Sequence, residues 1–386
     1  MRLDKLWLTD FRSYESAELA VAPGLTAILG DNGQGKSNLL EAVAWLATLT
    51  SFRGAPTDAL VRRGAERAVL RLEGFVERTG ADDDGTERQT LVEAELVPTG
   101  RNRVLVNKQR LQRTRDLLGV LRVTVFTPDD LELVKGGPSG RRRYLDDVLV
   151  ALHPKYDAVQ ADVERVLKQR NALLKQVQGG GSRLDTSAAL TLDVFDEKLA
   201  VAGEELARIR VALCERLAPA LQTAYGAVAV GSEARAVVTI GYDSAWYGRD
   251  GGLRAALADG RADDVRRGVS LVGPHRDDLG LAIGGLPART HASQGEQRSL
   301  ALALRLGGHA VVTATVGVAP VLLLDDVFSE LDPRRSDALL TCLPTGQALL
   351  TTASGLPAGA APERVLRVGA VTAPGGGVLS TLHEVA

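Results

Sequence analysis

The stretch Ile28–Leu46, ILGDNGQGKSNLLEAVAWL, places Gly30, Gly35, Lys36 and Ser37 at the spacing G-x-x-x-x-G-K-[ST]. Glycines let successive backbone N–H groups wrap around phosphate oxygens, a lysine adds a point charge at the outer phosphates, and a serine hydroxyl can ligate magnesium. The chemistry this implies is the holding of ATP and Mg2+ by the whole loop, Gly30, Asp31, Asn32, Gly33, Gln34, Gly35, Lys36, Ser37 and Asn38. A helix opening directly after the loop adds the positive end of its dipole.

Such a loop needs a second acidic group for its metal, at the end of a buried apolar strand. Val321–Leu324 followed by Asp325 and Asp326 has that form. Asp325 is expected to hold the metal together with Ser37. Asp326 sits where a carboxylate can orient or deprotonate an attacking water, a catalytic role shared with the Lys36 charge. A third stretch, SQGEQ, spans Ser293–Gln297 at the head of a helical pattern. Its plain reading is a capping box, with Ser293 serving the backbone and Glu296 reaching back. The same helix start is also an anion site with no anion of its own.

About three quarters of the chain separates the glycine-rich loop from the acidic strand, so the chain must leave the nucleotide core, build something else and return. Short apolar segments near the start, MRLDKLWLTDF and GLTAILG, read as strands, and Lys36–Leu49 as a helix. From Ala68 to Val106 apolar and polar residues alternate, as in antiparallel strands around the charged loop ADDDGTE. From Pro138 to Ala227 the character changes to long helices. One apolar series runs Val159, Val163, Val166, Leu173, Val177 and ends at GGGS; a second runs Leu192, Phe195, Leu199, Ala202, Leu206, Ile209, Leu213. Two antiparallel helices across the glycine turn would make a short coiled-coil arm; the same pattern also fits core helices of a helical lobe. Strands return in ARAVVTIGY and in a hairpin turning at Gly284-Gly285.

These elements divide into residues 1–137, the first part of an ATPase head; 138–227, an inserted helical arm; and 228–386, the rest of the head. The fold class expected is α/β. At 386 residues, 45% hydrophobic and 24% charged, the composition is that of a globular protein. No apolar run suggests a membrane span, and the charged start lacks the core of a signal peptide, so a cytoplasmic location is expected. Cys214 and Cys342 stand alone, without ligand spacing, and are expected to be buried. A net charge of −2 leaves any nucleic-acid contact to local basic patches. The strongest are Arg101–Arg115, with Arg110, Arg113 and Arg115 the candidate DNA contacts, and Arg141–Arg143, which can instead pair with nearby carboxylates.

The stretches FRSYE, GDNGQGKSNLLEA, FTPDDLELVKGGPSGRRRYLD, GPHRDDL, SQGEQRSLALAL and LLLDDVFSELDPRR resemble the SMC class of ABC-type ATPases and, within it, the bacterial recombination mediators. The resemblance implies an ATPase head assembled from both chain ends, an arm with a short helical hairpin, and an ATP-dependent homodimer. In that dimer the γ-phosphate held by one chain would be capped by Ser293 and Gly295 of the other, with Asp332 joining the two sites and Arg12 of FRSYE among the nucleotide contacts. It further implies binding to duplex, gapped or junction DNA and partnership with RecR-like and RecO-like mediator proteins. Asp326 stands where the wider class has Glu, which implies slow hydrolysis. A histidine after the next strand, a Gln-loop glutamine and a C-x-x-C hook are all missing. Two other readings compete: the nucleotide-binding subunit of a transporter, and a chromosome-scaffold ATPase.

Overall fold

The computed structural model describes residues 2–77, 87–180, 184–229, 237–372 and 378–385. Most of the loop ADDDGTE, the end of GGGS and the first residues of ARAVVTIGY lie outside them. The chain forms two compact units: Met1–Asp130 with Thr223–Arg235 and Arg298–Ala386, and Leu131–Gln222 with Ala236–Gln297.

The first unit carries two sheets. The N-terminal segment is a hairpin, β1 (Arg2–Phe11) and β2 (Tyr14–Ala20), followed by β3 (Leu25–Leu29) and helix α1 (Lys36–Thr48). Strands β4 (Ala68–Glu77), β5 (Glu87–Leu96), β6 (Arg103–Val106) and β7 (Gln109–Arg110) complete an antiparallel sheet in the order β2-β1-β4-β5-β6-β7. The second sheet uses β8 (Val123–Phe126), β12 (Val321–Asp325), β13 (Ala348–Thr352), β14 (Arg364–Thr372) and β15 (Val378–Glu384), in the order β15-β14-β3-β13-β12-β8. Its five strands from β14 to β8 run parallel, and β15 folds back antiparallel on β14. Helix α1 is apolar on most of its circumference and packs with residues of both sheets, so Leu39, Leu40, Val43 and Leu46 share one core with Leu6, Leu70, Leu323 and Leu349. Parallel strands buried on both faces explain why β12 reads as an unbroken apolar run.

The second unit contains α2 (Pro138–Leu152), α3 (Tyr156–Gly179), most of α4 (Thr186–Val228), α5 (Gly252–Arg267) and a small sheet of β9 (Val238–Asp243), β10 (Asp278–Ile283) and β11 (Leu286–Pro287). Leu174 and Val177 of α3 meet Leu192 of α4 and Val265 of α5. The expected helical hairpin is present, and a third helix packs on it. The α3 seam departs from the expected series: Leu174, not Leu173, is fully buried, and a charged residue, Arg170, occupies the stripe between Val166 and Leu174 at 0% exposure. Its Nε donates to Asp196 of α4 at 2.6 Å, and one terminal nitrogen donates to Asp264 of α5 at 2.7 Å and to Ser270 at 2.8 Å.

The compact units divide the chain differently from boundaries at 138 and 227, because segment 236–297 makes its contacts with the helices. Asp278 at the start of β10 receives a bidentate pair from Arg141 of α2, and Arg210 of α4 spans Asp146 of α2 and the carbonyl of Pro274. Cys214 is buried as expected, whereas Cys342 is only half-buried. Among the described residues helix α6 (Gln294–Val316) alone is long and apolar enough to cross a membrane, and 67% of that stretch is buried within the protein, as in a core helix.

Candidate functional site

The ends of three neighbouring parallel strands define the site. Register pairs Asp325 of β12 with Thr351 of β13, and Thr352 with Leu29 of β3, so the acidic strand end lies two strands from the exit of β3 into the glycine-rich loop. Ligands of open α/β sheets bind at such carboxyl ends. Gly30 and Gly35 have φ of 156° and 102°. A side chain on Gly30 would meet the carbonyl of Val368 at 2.5 Å, and one on Gly35 would run into the hydroxyls of Ser380 and Ser13. Asp31 and Gln34 close the loop on itself: the Asp31 amide donates to Gln34 Oε1 at 2.9 Å, and Gln34 Nε2 to Asp31 Oδ2 at 3.0 Å.

Lys36 reaches back across the loop, its ammonium donating to the carbonyls of Gly30 at 2.7 Å and Asp31 at 2.9 Å. It is 5% exposed, buried rather than solvent-facing. Burial pulls its pKa down, against the opposing pull of Asp326, Asp325 and Asp31. The Ser37 hydroxyl donates to Asp325 Oδ1 at 2.7 Å, joining the two ends of the chain. The same oxygen accepts the Thr351 hydroxyl at 2.8 Å. Burial raises the Asp325 pKa, and the two hydroxyl donors work against it.

Asp326 lies in the left-handed region at φ 49°, its amide held by both the carbonyl and the hydroxyl of Thr351 at 3.1 Å. Thr351 therefore fixes both acids, a role that becomes visible only once β13 is placed beside β12. Ser37 and Asp325 offer hard oxygen donors only, which suits magnesium. Among the described residues no group of three or more His, Cys, Asp or Glu side chains forms a self-contained metal cage. That is the expected donor set where phosphate and water complete the coordination.

Arg12 is placed as a brace and not in the loop. Its guanidinium grips Glu41 of α1 through Nε at 2.7 Å and a terminal nitrogen at 2.6 Å, and its third nitrogen donates to the carbonyl of Ala59 at 2.9 Å. Asn38 is tied to Ser13 at 2.9 Å and to Arg53 at 3.2 Å. Asn32 and Gly33 form the exposed tip of the loop.

Ser293 caps α6 as the sequence suggests: its amide donates to Glu296 at 2.8 Å, and its hydroxyl accepts from the Glu296 amide at 3.3 Å. Ser293 is exposed, and Gly295 half-buried. Asp332 caps α7 (Pro333–Cys342) by accepting from the Arg335 amide at 3.1 Å, and the Arg335 contacts hold its carboxyl below the usual range.

The basic clusters behave differently from one another. Arg110 lies on the edge strand β7, and Arg113 and Arg115 follow it; all three are exposed. Arg101 precedes β6 and does not share a strand face with Arg103, which lies 3.9 Å from Glu95. In the second cluster Arg141 is buried against Asp278 and Arg142 donates to the carbonyl of Asp277 at 2.7 Å. That pairing links the stretch GGPSGRRRYLD to the stretch GPHRDDL. The Asp277 carboxylate in turn accepts from Tyr242 at 2.7 Å and Trp246 at 3.0 Å.

A strand–glycine loop–helix bonded through Ser37 to an acid at the end of a parallel strand two places along the same sheet defines a P-loop ATPase head. Residues 2–352 match the family described as RecF/RecN/SMC N terminal domain, and the chain belongs to that family. Within it the chain stands with RecF: it is 45% identical over 365 residues to the "DNA replication and repair protein RecF" of Streptomyces avermitilis, covering 92% of this chain and 94% of that one. A solved structure described as "recombination mediator protein RecF-ATP in RecFOR pathway" superposes with a TM-score of 0.84 at 29% identity, over 100% of this chain and 98% of the other. An Smc head bound to the C-winged helix domain of ScpA shares the fold at a TM-score of 0.55 and 16% identity, over 100% and 98% of the two chains.

Proposed function

We propose that this chain is an ATP-dependent DNA-binding switch of recombinational and replication-gap repair, acting in the cytoplasm. The observation that carries the reading is the Ser37–Asp325 hydrogen bond, which joins residues from opposite ends of the chain beside the glycine-rich loop. Bound ATP would be wrapped by Gly30–Asn38, with Lys36 at its outer phosphates and Mg2+ between Ser37 and Asp325. The metal would supply neutralisation of phosphate charge. Asp326 would position the attacking water, and its short side chain favours slow turnover.

The exposed, capped start of α6 supports a dimer in which Ser293 and Gly295 of one chain cap the nucleotide of another, with Asp332 near the junction. In this reading the head works from 1–137 and 228–386, with 138–227 as the arm. ATP would then act as a ligand that stabilises the dimer, and hydrolysis would release it. The dimer would hold duplex, gap or junction DNA through Arg110, Arg113 and Arg115, and would act with RecR-like and RecO-like partners to help load the recombinase on single strands. Retention of a labelled duplex with and without Mg2+ and ATP tests the reading. ATP-dependent retention is expected; association with membrane subunits and no retention would favour the transporter reading.

A further inference from the structure

Behind the phosphate loop, five residues from four parts of the first unit form one continuous line of hydrogen bonds. Arg53 donates to Asn38 Oδ1 at 3.2 Å, and Asn38 Nδ2 donates to Ser13 Oγ at 2.9 Å. Ser13 Oγ and Ser380 Oγ lie 2.6 Å apart, and Ser380 Oγ donates to the main-chain carbonyl of Gln34 at 2.6 Å. The direction of the line is forced. A guanidinium can only donate and a carbonyl can only accept, so the Asn38 amide must present its oxygen to Arg53, and each hydroxyl passes its proton towards the loop. Lines of this kind strengthen each member by polarising the next.

The last donor comes from β15, beyond residue 352 where the family match ends. Ser380 is 4% exposed, and its amide also donates to the carbonyl of Ser13 at 2.9 Å, fixing β15 to the turn between β1 and β2. The same turn supplies Tyr14, whose hydroxyl donates to the carbonyl of Gly35 at 3.1 Å. The absence of a side chain at Gly35 is what lets Ser380 and Ser13 approach the loop so closely. With Gln34 and Gly35 carbonyls both held from behind, the N–H groups of these peptides are turned to the opposite side, where a phosphate would be wrapped.

We infer that Ser380 is a positioning residue for nucleotide binding: through the line Arg53–Asn38–Ser13–Ser380–Gln34, the last strand of the chain sets the shape of the phosphate loop. This rests on the ATP-binding reading above.

The test is a double-mutant cycle in the full chain, reading equilibrium binding of a fluorescent ATP analogue with Mg2+ for wild type, S13A, S380A and S13A/S380A. Each single substitution should weaken binding roughly tenfold, the scale of one lost hydrogen bond in a buried line. The double variant should be no more than about threefold weaker than either single one, because both break the same line. Turnover at saturating ATP should stay within about twofold of wild type, since neither hydroxyl touches the reacting atoms. Binding by S380A within about twofold of wild type, or effects that multiply in the double variant, would overturn the inference. Should S380A not fold, S13A alone decides: binding weakened about tenfold supports the line, and binding within about twofold of wild type overturns it. A wild-type chain that binds no ATP would refute the ATP reading instead, a result distinct from unchanged binding by S380A.

Discussion

At the scale of single residues, Lys36 does two things. In the proposed function it carries the charge for the outer phosphates, and in the structure it closes the loop by donating to two carbonyls while almost fully buried. Lys36→Met should therefore abolish ATP binding in a calorimetric titration and also lower stability by about 1–3 kcal/mol, the scale of hydrogen bonds made by a charged group. Retained ATP binding in the folded variant would refute the loop assignment. Asp326 sits at φ 49°, a conformation that asparagine accepts readily. Asp326→Asn should therefore keep the fold and the nucleotide while hydrolysis falls at least about tenfold, measured as phosphate release; unchanged turnover would make Asp326 structural. The loop residues were legible in the sequence because their spacing is local. Thr351 was not, because nothing in ALLTTASG says that its hydroxyl meets Asp325; that contact depends on the register of two strands distant in sequence.

At the scale of elements, the helical segment shows how far periodicity reaches. Apolar spacing placed α3 and α4 correctly, but it passed over Arg170, since a charged residue interrupts the pattern it relies on. The seam holds that charge because Asp196 and Asp264 come from two other helices to meet it, both nearly buried. Removing one partner of a buried pair strands the other, at a cost of about 3–5 kcal/mol. Arg170→Ala should lower the denaturation free energy by that amount, while breaking an exposed, solvent-screened pair such as Arg208–Glu205 should change it far less. A loss at Arg170 no larger than at Arg208 would show that water reaches the seam. The stretches GGPSGRRRYLD and GPHRDDL follow the same logic. Their arginines and aspartates resemble a solvated charge run, yet Arg141 is paired with the Asp278 carboxylate, Arg142 holds the main-chain carbonyl of Asp277, and the Asp277 carboxylate is taken by Tyr242 and Trp246.

At the scale of the whole molecule, that pairing narrows where DNA can be held. With Arg141 and Arg142 committed inside the second unit, the exposed Arg110, Arg113 and Arg115 remain the better candidates. Phosphate contacts release counterions, so replacing these three by Ala should weaken duplex binding and flatten its dependence on salt, measured by titration from low to moderate ionic strength. An unchanged slope would place the DNA elsewhere. In the proposed dimer, ATP joins two chains through the start of α6. Sedimentation of wild type and Ser293→Arg with Mg2+ and ATP tests it most directly, alongside nucleotide binding to each. Wild type should sediment as a dimer only with ATP, whereas Ser293→Arg should bind ATP nearly normally and remain a monomer; a Ser293→Arg chain that dimerises with ATP like wild type would contradict the account.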